Sequence, residues 1–371
     1  MAKKDLKANC LFGARFMLTQ INALQNEIQG ALVGEDIEHV HQMRVASRRM
    51  RNGLNLFGDC LSKKKSVTWG NEIRKITKAL GNARDLDIQI ALLNEFIAEQ
   101  MDPRLKPGYN RLLLRLKQQR TKAQDKVTRT LVDLQEGGIL ELMQDHLREI
   151  TEGSENIYLY TPSLYQQAFE AINTHLDEFL SYEKYIHDPQ NIEKLHAMRI
   201  AGKHLRYTLE IFAPIYGTAI EPHIRAMKNV QDLLGEIHDN DVWTAWLPKF
   251  IEKEQARIED YFGNKGPLRR LLPGLKHFVE DRQAARELEY QAFLSIWETL
   301  LYEKAWTVLR DIIKAPINIE AAIAQTTRDL VAVPSEPEID KGEPESGLEL
   351  PSEDIQDMNH IDSMDDPTQN L

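Results

Sequence analysis

A group of histidine, arginine and lysine side chains occurs twice in this chain with the same spacing. Each copy has one histidine followed by three cations at intervals of three or four residues; the copies are His41, Arg44, Arg48 and Arg51, and His196, Arg199, Lys203 and Arg206. A guanidinium fork donates two hydrogen bonds to one phosphate, and an imidazole adds a charge that responds to pH. The residue types and their spacing therefore predict a site for phosphate or a related anion.

The two groups belong to matching segments, residues 37–57 and residues 192–212, which are identical at nine positions at an offset of 155. On a helical wheel of about 100° per residue, the cations of each copy share one narrow face. Arg49 and His204 lie beside that face, and the opposite face is apolar. The pattern predicts an amphipathic helix in each copy of a duplicated unit, with its apolar side in the core.

A merely solvated face is the alternative interpretation of these cations. Like charges three or four residues apart destabilise a helix, so a solvated face is expected to carry carboxylates between its cations. No carboxylate lies between the histidine and the last of the three cations in either copy, within residues 41–51 and 196–206, and this favours an anion site. No nucleophile recurs beside the histidines, so we expect no catalytic residues, and we predict that the protein is not an enzyme.

A second repeat is formed by residues 73–88 and residues 227–242, which are similar in sequence at an offset of 154. Its basic members extend the predicted anion site by Arg74, Lys78 and Arg84 in the first copy and by Lys228 and His238 in the second. It also contains four aspartates, namely Asp85, Asp87, Asp239 and Asp241. A metal site is one interpretation of them, and hydrogen bonding that orients neighbouring arginines is the one we favour. The glycines of this repeat, Gly81 and Gly235, predict close helix packing.

A third basic stripe is less regular and predicts secondary phosphate contacts. Its members are Arg111, Arg115 and Lys122, with Arg282 and Arg286 as partners in the second half. The register between the two halves is ambiguous here, and a solvated face explains the stripe equally well.

Periodicity predicts an all-α protein. The first unit is expected to contain helices over 5–29, 37–57, 68–100 and 108–134, and the second over 162–184, 189–212, 218–255 and 274–313. We therefore predict one four-helix unit over 1–152, another over 153–315, and a linker and tail over 316–371. The formal net charge is -11, and residues 333–371 contain twelve acids and one lysine. This tail cannot bury enough apolar surface to fold and is predicted to be disordered.

The two cysteines, Cys10 and Cys60, form no CxxC pair, which favours a reducing compartment. The amino terminus lacks the features of a signal peptide, and no segment approaches the length and apolarity of a membrane span. We therefore expect a cytoplasmic protein with no membrane contact.

The basic segment 37–57 and its repeat 192–212 resemble segments of the CHAD family, the conserved-histidine α-helical domains. The motif Leu80-Gly81-x-x-Arg84-Asp85-x-Asp87 carries the same resemblance. The resemblance covers about residues 5–315. It implies two four-helix units related by a pseudo-twofold axis, with basic faces lining a groove or pore that binds inorganic polyphosphate, in some members at polyphosphate granules. It further implies a stand-alone member without a CYTH domain. The second copy departs from the basic residues of the family at Lys203, His204, Asp232 and His238. These departures predict that the second half binds polyphosphate more weakly.

Inorganic polyphosphate is accordingly the expected partner, and no cofactor or metal is expected. Three alternatives remain open: a metal or phosphoprotein module built on the two repeated histidines, a phosphoanhydride hydrolase or an accessory to one, and a nucleic-acid binder. Aromatic platforms are missing beside the basic stripes, which makes nucleic acid the weaker partner. The acidic tail is a hypothetical internal competitor for the groove. The sequence leaves the oligomeric state open.

Overall fold

The computed structural model describes residues 3–152 and 159–331, and within them the chain is built from α-helices without a strand. The helices of the first half are α1 (Lys3–Val33), α2 (Ile37–Phe57), α3 (Lys63–Glu99), α4 (Lys106–Glu136) and α5 (Ile139–Thr151). Those of the second half are α6 (Pro162–Leu180), α7 (Ile192–Tyr216), α8 (Glu221–Phe262), α9 (Leu272–Tyr302) and α10 (Ala305–Val331). The predicted all-α class is confirmed. The predicted acidic tail and internal competitor lie outside the described residues.

Each half contains a fifth helix that periodicity alone did not predict. In the first half α5 follows a turn at Gly138, which takes the left-handed conformation with φ 59°. In the second half the predicted helix 274–313 is two helices, because the chain turns at Lys304, whose φ is 53°. The fifth helices occupy equivalent places, since α5 packs against α1 and α10 packs against α6. Helix α10 also continues past the predicted boundary at residue 315.

The apolar faces of the two basic helices form part of the core, as predicted. Their shared buried residues are Met43, Ala46, Met50, Leu54 and Phe57 in α2, and Met198, Ala201, Leu205, Leu209 and Phe212 in α7. Helix α2 matches its predicted range, and the side chain of Asp36 caps it by accepting a hydrogen bond from the backbone N–H of Glu38 at 2.8 Å. The amphipathic interpretation of both segments is thus confirmed.

Equivalent helices of the two halves pack against each other, α1 against α6, α2 against α7 and α4 against α9. A twofold axis also brings equivalent residues into mutual contact, and two such pairs occur. The ring centroids of Phe57 and Phe212 are 6.0 Å apart. A Cβ added to Gly108 would lie 3.0 Å from the Cα of Gly274. These contacts place a pseudo-twofold axis between the halves.

Pro-Gly pairs at the starts of α4 and α9 fix the register that the sequence left ambiguous. Gly108 and Gly274 differ by 166 positions, and the same offset pairs Arg120 with Arg286. Both arginines make the same contact. Arg120 Nε donates to Asp87 at 2.6 Å, and Arg286 donates to Asp241. Asp87 and Asp241 thus orient arginines as predicted, although each accepts a single hydrogen bond instead of a bidentate pair and these two arginines come from α4 and α9.

The prediction of close packing is wrong for Gly235. A Cβ built there meets no atom within 4 Å, so the second copy does not need a glycine at this position for space. Gly108 is different, because its added Cβ would lie 2.4 Å from the backbone carbonyl oxygen of Leu271. The helices that require close approach are therefore α4 and α9.

Cys10 and Cys60 form a disulfide that joins α1 to the short turn after α2, with their Cα atoms 5.3 Å apart. The sequence argument for a reducing compartment assumed unpaired thiols and is wrong on that point, because folding brings together two residues 50 positions apart. Among the described helices, none combines the length and the apolarity that crossing a bilayer requires.

Candidate anion-binding site

A cavity of about 570 Å³ lies between the two halves. Helices α2 and α3 border it on one side and α7 and α8 on the other. Its basic lining consists of Arg44, Arg48, Arg199, Lys203 and Lys249, together with the imidazoles of His196 and His238. Six of these seven residues are predicted site residues, and they come from both copies of the repeat. The fold therefore brings the two predicted cationic faces to one cavity.

The cavity also contains four carboxylates, so it is not purely cationic. They are Asp85, Glu193, Asp239 and Asp241. The Oδ1 of Asp85 lies 3.5 Å from an Nη of Arg44, and Asp241 is bound by Arg286. Three of the four acids come from α3 and α8, which explains how cations spaced for mutual repulsion along one helix are tolerated.

Asp239 is a titratable group within the cavity. Its side chain is accessible to the cavity but surrounded by the cavity walls, and this burial raises the pKa of Asp239 to about 6. Arg199 and Arg44 oppose the rise, while Asp85 and Glu236 add to it. Asp239 therefore changes from neutral to anionic in the range where phosphate groups are already charged.

The two histidine environments hold imidazole in its neutral form. Burial is the main cause that lowers the pKa of His238 to about 2, and Arg199, His196 and Lys203 lower it further. The Nδ1 atoms of His196 and His238 are 2.9 Å apart, so one donates and the other accepts. Burial, followed by Arg84, also lowers the pKa of His41. Both copies thus place histidine among cations.

Direct contacts between α2 and α7 involve two predicted site arginines. Glu210 accepts a hydrogen bond from Arg49 at 2.9 Å and lies 3.5 Å from Arg206. Burial alone would raise the pKa of Tyr207, but Arg48 and Arg206 outweigh it and the pKa is lowered. Glu210 replaces Asn55 of the first copy. This carboxylate joins the halves through Arg49, while its contact with Arg206 lies within α7.

Other predicted residues lie outside the lining of this cavity. Arg74, Lys78 and Lys228 are exposed on α3 and α8, and Arg51 of α2 and Arg84 of α3 are half-buried. His41 lies close enough to Arg84 and Arg44 for their charges to lower its pKa. The structure thus divides the predicted set into cavity, interface and outer-surface groups.

The secondary stripe takes part in contacts between helices. Glu254, whose side chain is fully buried, accepts from Arg115 at 2.7 Å and from Arg111 at 3.4 Å. Arg282 is bound to Asp281 and lies against the ring of Phe278, Arg286 is bound to Asp241, and Lys122 is exposed. These arginines connect α4 to α8 and α9 to α8, and their role as phosphate ligands stays a prediction.

Sequence reasoning missed Lys249, which supplies a cation at the edge of the cavity. It lies on a stripe of α8 formed by His238, Val242, Ala245 and Lys249, all of which line the cavity. Their spacing of three or four residues is the signal that extends the site beyond the repeated segment.

A model of the CHAD domain family matches residues 15–248. The match covers more than half of the chain and includes both basic helices, so the chain belongs to the CHAD domain family. No curated protein matches it.

The fold is similar to a solved structure of the CHAD domain from the plant Ricinus communis, with a TM-score of 0.53 and 18% sequence identity over 75% of this chain and 91% of that chain. PptA from Streptomyces chartreusis is 15% identical, with a TM-score of 0.49, over 78% of this chain and 99% of that chain.

Proposed function

We propose that this protein binds inorganic polyphosphate in the cavity between its halves and does not catalyse its breakdown. The observation that carries the proposal is the convergence of two cationic faces. Arg44 and Arg48 from α2 border the same cavity as Arg199 and Lys203 from α7. A polyanion that enters between these helices contacts cations of both copies at once, and several weak contacts on one chain reinforce each other.

The shape and lining of the cavity favour a phosphate chain over a single phosphate. A volume of about 570 Å³ exceeds what one small anion needs, since a water molecule takes about 30 Å³ in the liquid. Ile88, Leu92 and Trp243 form an apolar part of the wall. Apolar walls exclude water and strengthen the attraction between arginine and phosphate.

The carboxylates of the cavity support binding without catalysis. Hydrolysis of phosphoanhydrides usually needs carboxylates that hold Mg²⁺ next to the phosphates. Asp85 and Asp241 instead contact Arg44 and Arg286. We therefore expect the full chain to release no phosphate from polyphosphate above the uncatalysed background, with or without Mg²⁺.

Titration of the full chain with long-chain polyphosphate and with pyrophosphate, each at two salt concentrations, tests the proposal. We expect the long chain to bind more tightly, with an affinity that falls as salt rises by a logarithmic slope of about 0.7 for each phosphate contact. A DNA duplex at matched phosphate concentration serves as the control polyanion and should bind more weakly. Equal affinity for both chain lengths, or no binding of either, overturns the proposal, and phosphate release overturns its non-catalytic part.

We propose also that the protein associates with polyphosphate granules in cells that store the polymer. A fluorescent fusion should gather at granules, and it should spread evenly in cells that lack polyphosphate. An unchanged distribution in the two kinds of cell contradicts the proposal.

A further inference from the structure

A cluster of three metal-ligating side chains lies on α6 and α7, apart from the lining of the cavity. His175, Glu178 and His204 each offer one ligand atom, and these atoms all lie within 4.8 Å of one another. His175 Nδ1 is 3.6 Å from a carboxylate oxygen of Glu178, and the two imidazole centroids are 5.7 Å apart. The three groups are therefore close enough to share one ion.

The helices position this cluster through ordinary helix geometry. His175 and Glu178 are three residues apart on α6 and so share one face, and His204 faces them from α7, which packs against α6. Metal sites inside helical bundles use a glutamate and a histidine three residues apart on one helix, in the order Glu-x-x-His, and His175 and Glu178 have the same spacing in the reverse order. The nearby Asp177 is bound by Arg310 from α10, so the candidate ligand set remains the three groups named.

The donor types select the class of ion. Two imidazole nitrogens and one carboxylate oxygen suit Zn²⁺ and its neighbours in the first transition series, whereas Mg²⁺ and Ca²⁺ prefer oxygen ligands throughout. The side chain of His175 is 18% exposed and that of Glu178 is 42% exposed. Partial exposure leaves a path for an ion to enter and a position for a water ligand.

Equivalent positions in the first half show whether the shared helix packing requires these three residues. Buried Ile172, Leu176 and Phe179 of α6 correspond at an offset of 155 to buried Met17, Ile21 and Leu24 of α1. At the same offset, the three ligating positions correspond to Gln20, Ala23 and Arg49. The first half therefore keeps the helix pair but offers neither imidazole nor carboxylate there, so helix packing alone does not require the trio.

We propose that His175, Glu178 and His204 bind one divalent transition-metal ion, and that Zn²⁺ is the ion they fit best. The site is independent of the polyphosphate cavity, because none of the three residues lines it. It also differs from a metal site built on the repeated histidines, since neither His41 nor His196 takes part.

Metal binding by the full chain, expressed without a histidine tag and stripped with a chelator, tests this proposal. After equilibration with Zn²⁺ and desalting, elemental analysis should find one equivalent per chain. Co²⁺ in place of Zn²⁺ should give visible absorption bands of a protein-bound ion, which Zn²⁺ displaces. Zn²⁺ should also raise the melting temperature, because an ion that binds the folded state stabilises it by mass action.

The first half offers replacements that the fold already accepts at equivalent positions. H175Q, E178A and H204R each put the residue of the first half into the second, and each should weaken Zn²⁺ binding at least about tenfold. H238Q is the matched control, because it disrupts the other close histidine pair and should leave the single equivalent in place. Melting curves without metal verify that each variant folds.

Two results would overturn the metal site. One is a chain that retains no Zn²⁺ at micromolar concentration. The other is retention of the ion in all three variants of the trio, whether H238Q keeps or loses it. Polyphosphate affinity of the E178A variant should stay within about twofold of the original, so failure of the metal site and failure of the proposed function give different readouts.

Discussion

The two copies of the basic helix have the same pattern but different surroundings. In the first, Arg84 lies near His41 and adds a permanent cation. In the second, the equivalent residue is His238, whose pKa of about 2 makes it neutral. The second copy nevertheless supplies most of the residues that line the cavity. A duplicated site can therefore use residues of both copies while the two copies contribute unequal charge.

The largest effect should come from removing the equivalent arginines that face each other across the cavity. R44Q and R199Q should each weaken binding of long-chain polyphosphate about tenfold, and the double variant about a hundredfold, because each removes a charge-assisted contact. The matched control is the pair R74Q and K228Q, equivalent residues on the outer surface. Titration at one salt concentration measures the affinity of every variant. If the control variants weaken polyphosphate binding as much as the cavity variants do, the binding site includes these exposed residues and is not the cavity alone.

A second test breaks the symmetry contact that holds the copies together. G108A should lower the free energy of unfolding by about 2 kcal/mol, because the added methyl meets backbone atoms that cannot turn away. G235A is the control and should stabilise the protein by about 0.5 to 1 kcal/mol, since its methyl enters open space within a helix. Denaturant titration compares the two. Equal effects would contradict the close crossing of α4 and α9.

A third test exchanges the residues at one pair of equivalent positions, His238 and Arg84. H238R should strengthen polyphosphate binding about tenfold and increase the logarithmic salt slope by about 0.7, because it adds a cation where the first copy has Arg84. R84H should have the opposite effect. If H238R leaves affinity and salt slope unchanged, the neutral histidine is not what weakens the second copy.

The smallest expected effect is a pH dependence that arises from Asp239. Its pKa is about 6, and a bound polyanion should raise that pKa, so affinity increases as pH falls through this value. A rise of about half a pKa unit on binding corresponds to about a threefold gain in affinity below the transition. D239N should remove this component and bind more tightly at pH 7.5. Titrations at pH 7.5 and 5.5 test it, and an equal response of both proteins would assign the effect to other groups.

Helix periodicity predicted the elements that face the core and missed those defined by irregular turns. Helix α2 was predicted to the residue, because the repeated amphipathic segment 37–57 coincides with the helix. The break between α9 and α10 falls at Lys304, where neither glycine nor proline marks the left-handed conformation. Helix α5 was missed because the glycine turn before it resembles a boundary between units.

The candidate site was predictable as far as one helix determines it. Arg44, Arg48, Arg199 and Lys203 were placed together by spacing alone, and all line the cavity. The contact of Glu210 with Arg49 was not predictable, because it depends on how α2 and α7 cross. Tertiary packing likewise decides which cations of a basic stripe meet carboxylates, as Arg115 and Glu254 do.

The contact between Gly108 and Gly274 has a consequence for how such a molecule arises. A residue that touches its own counterpart on a twofold axis satisfies the same geometry whether the two belong to one polypeptide or to two. A homodimer of a single five-helix protein would meet the same requirement at that crossing. Fusion of the two genes then lets each position specialise on one side alone, as Arg49 and His204 have done.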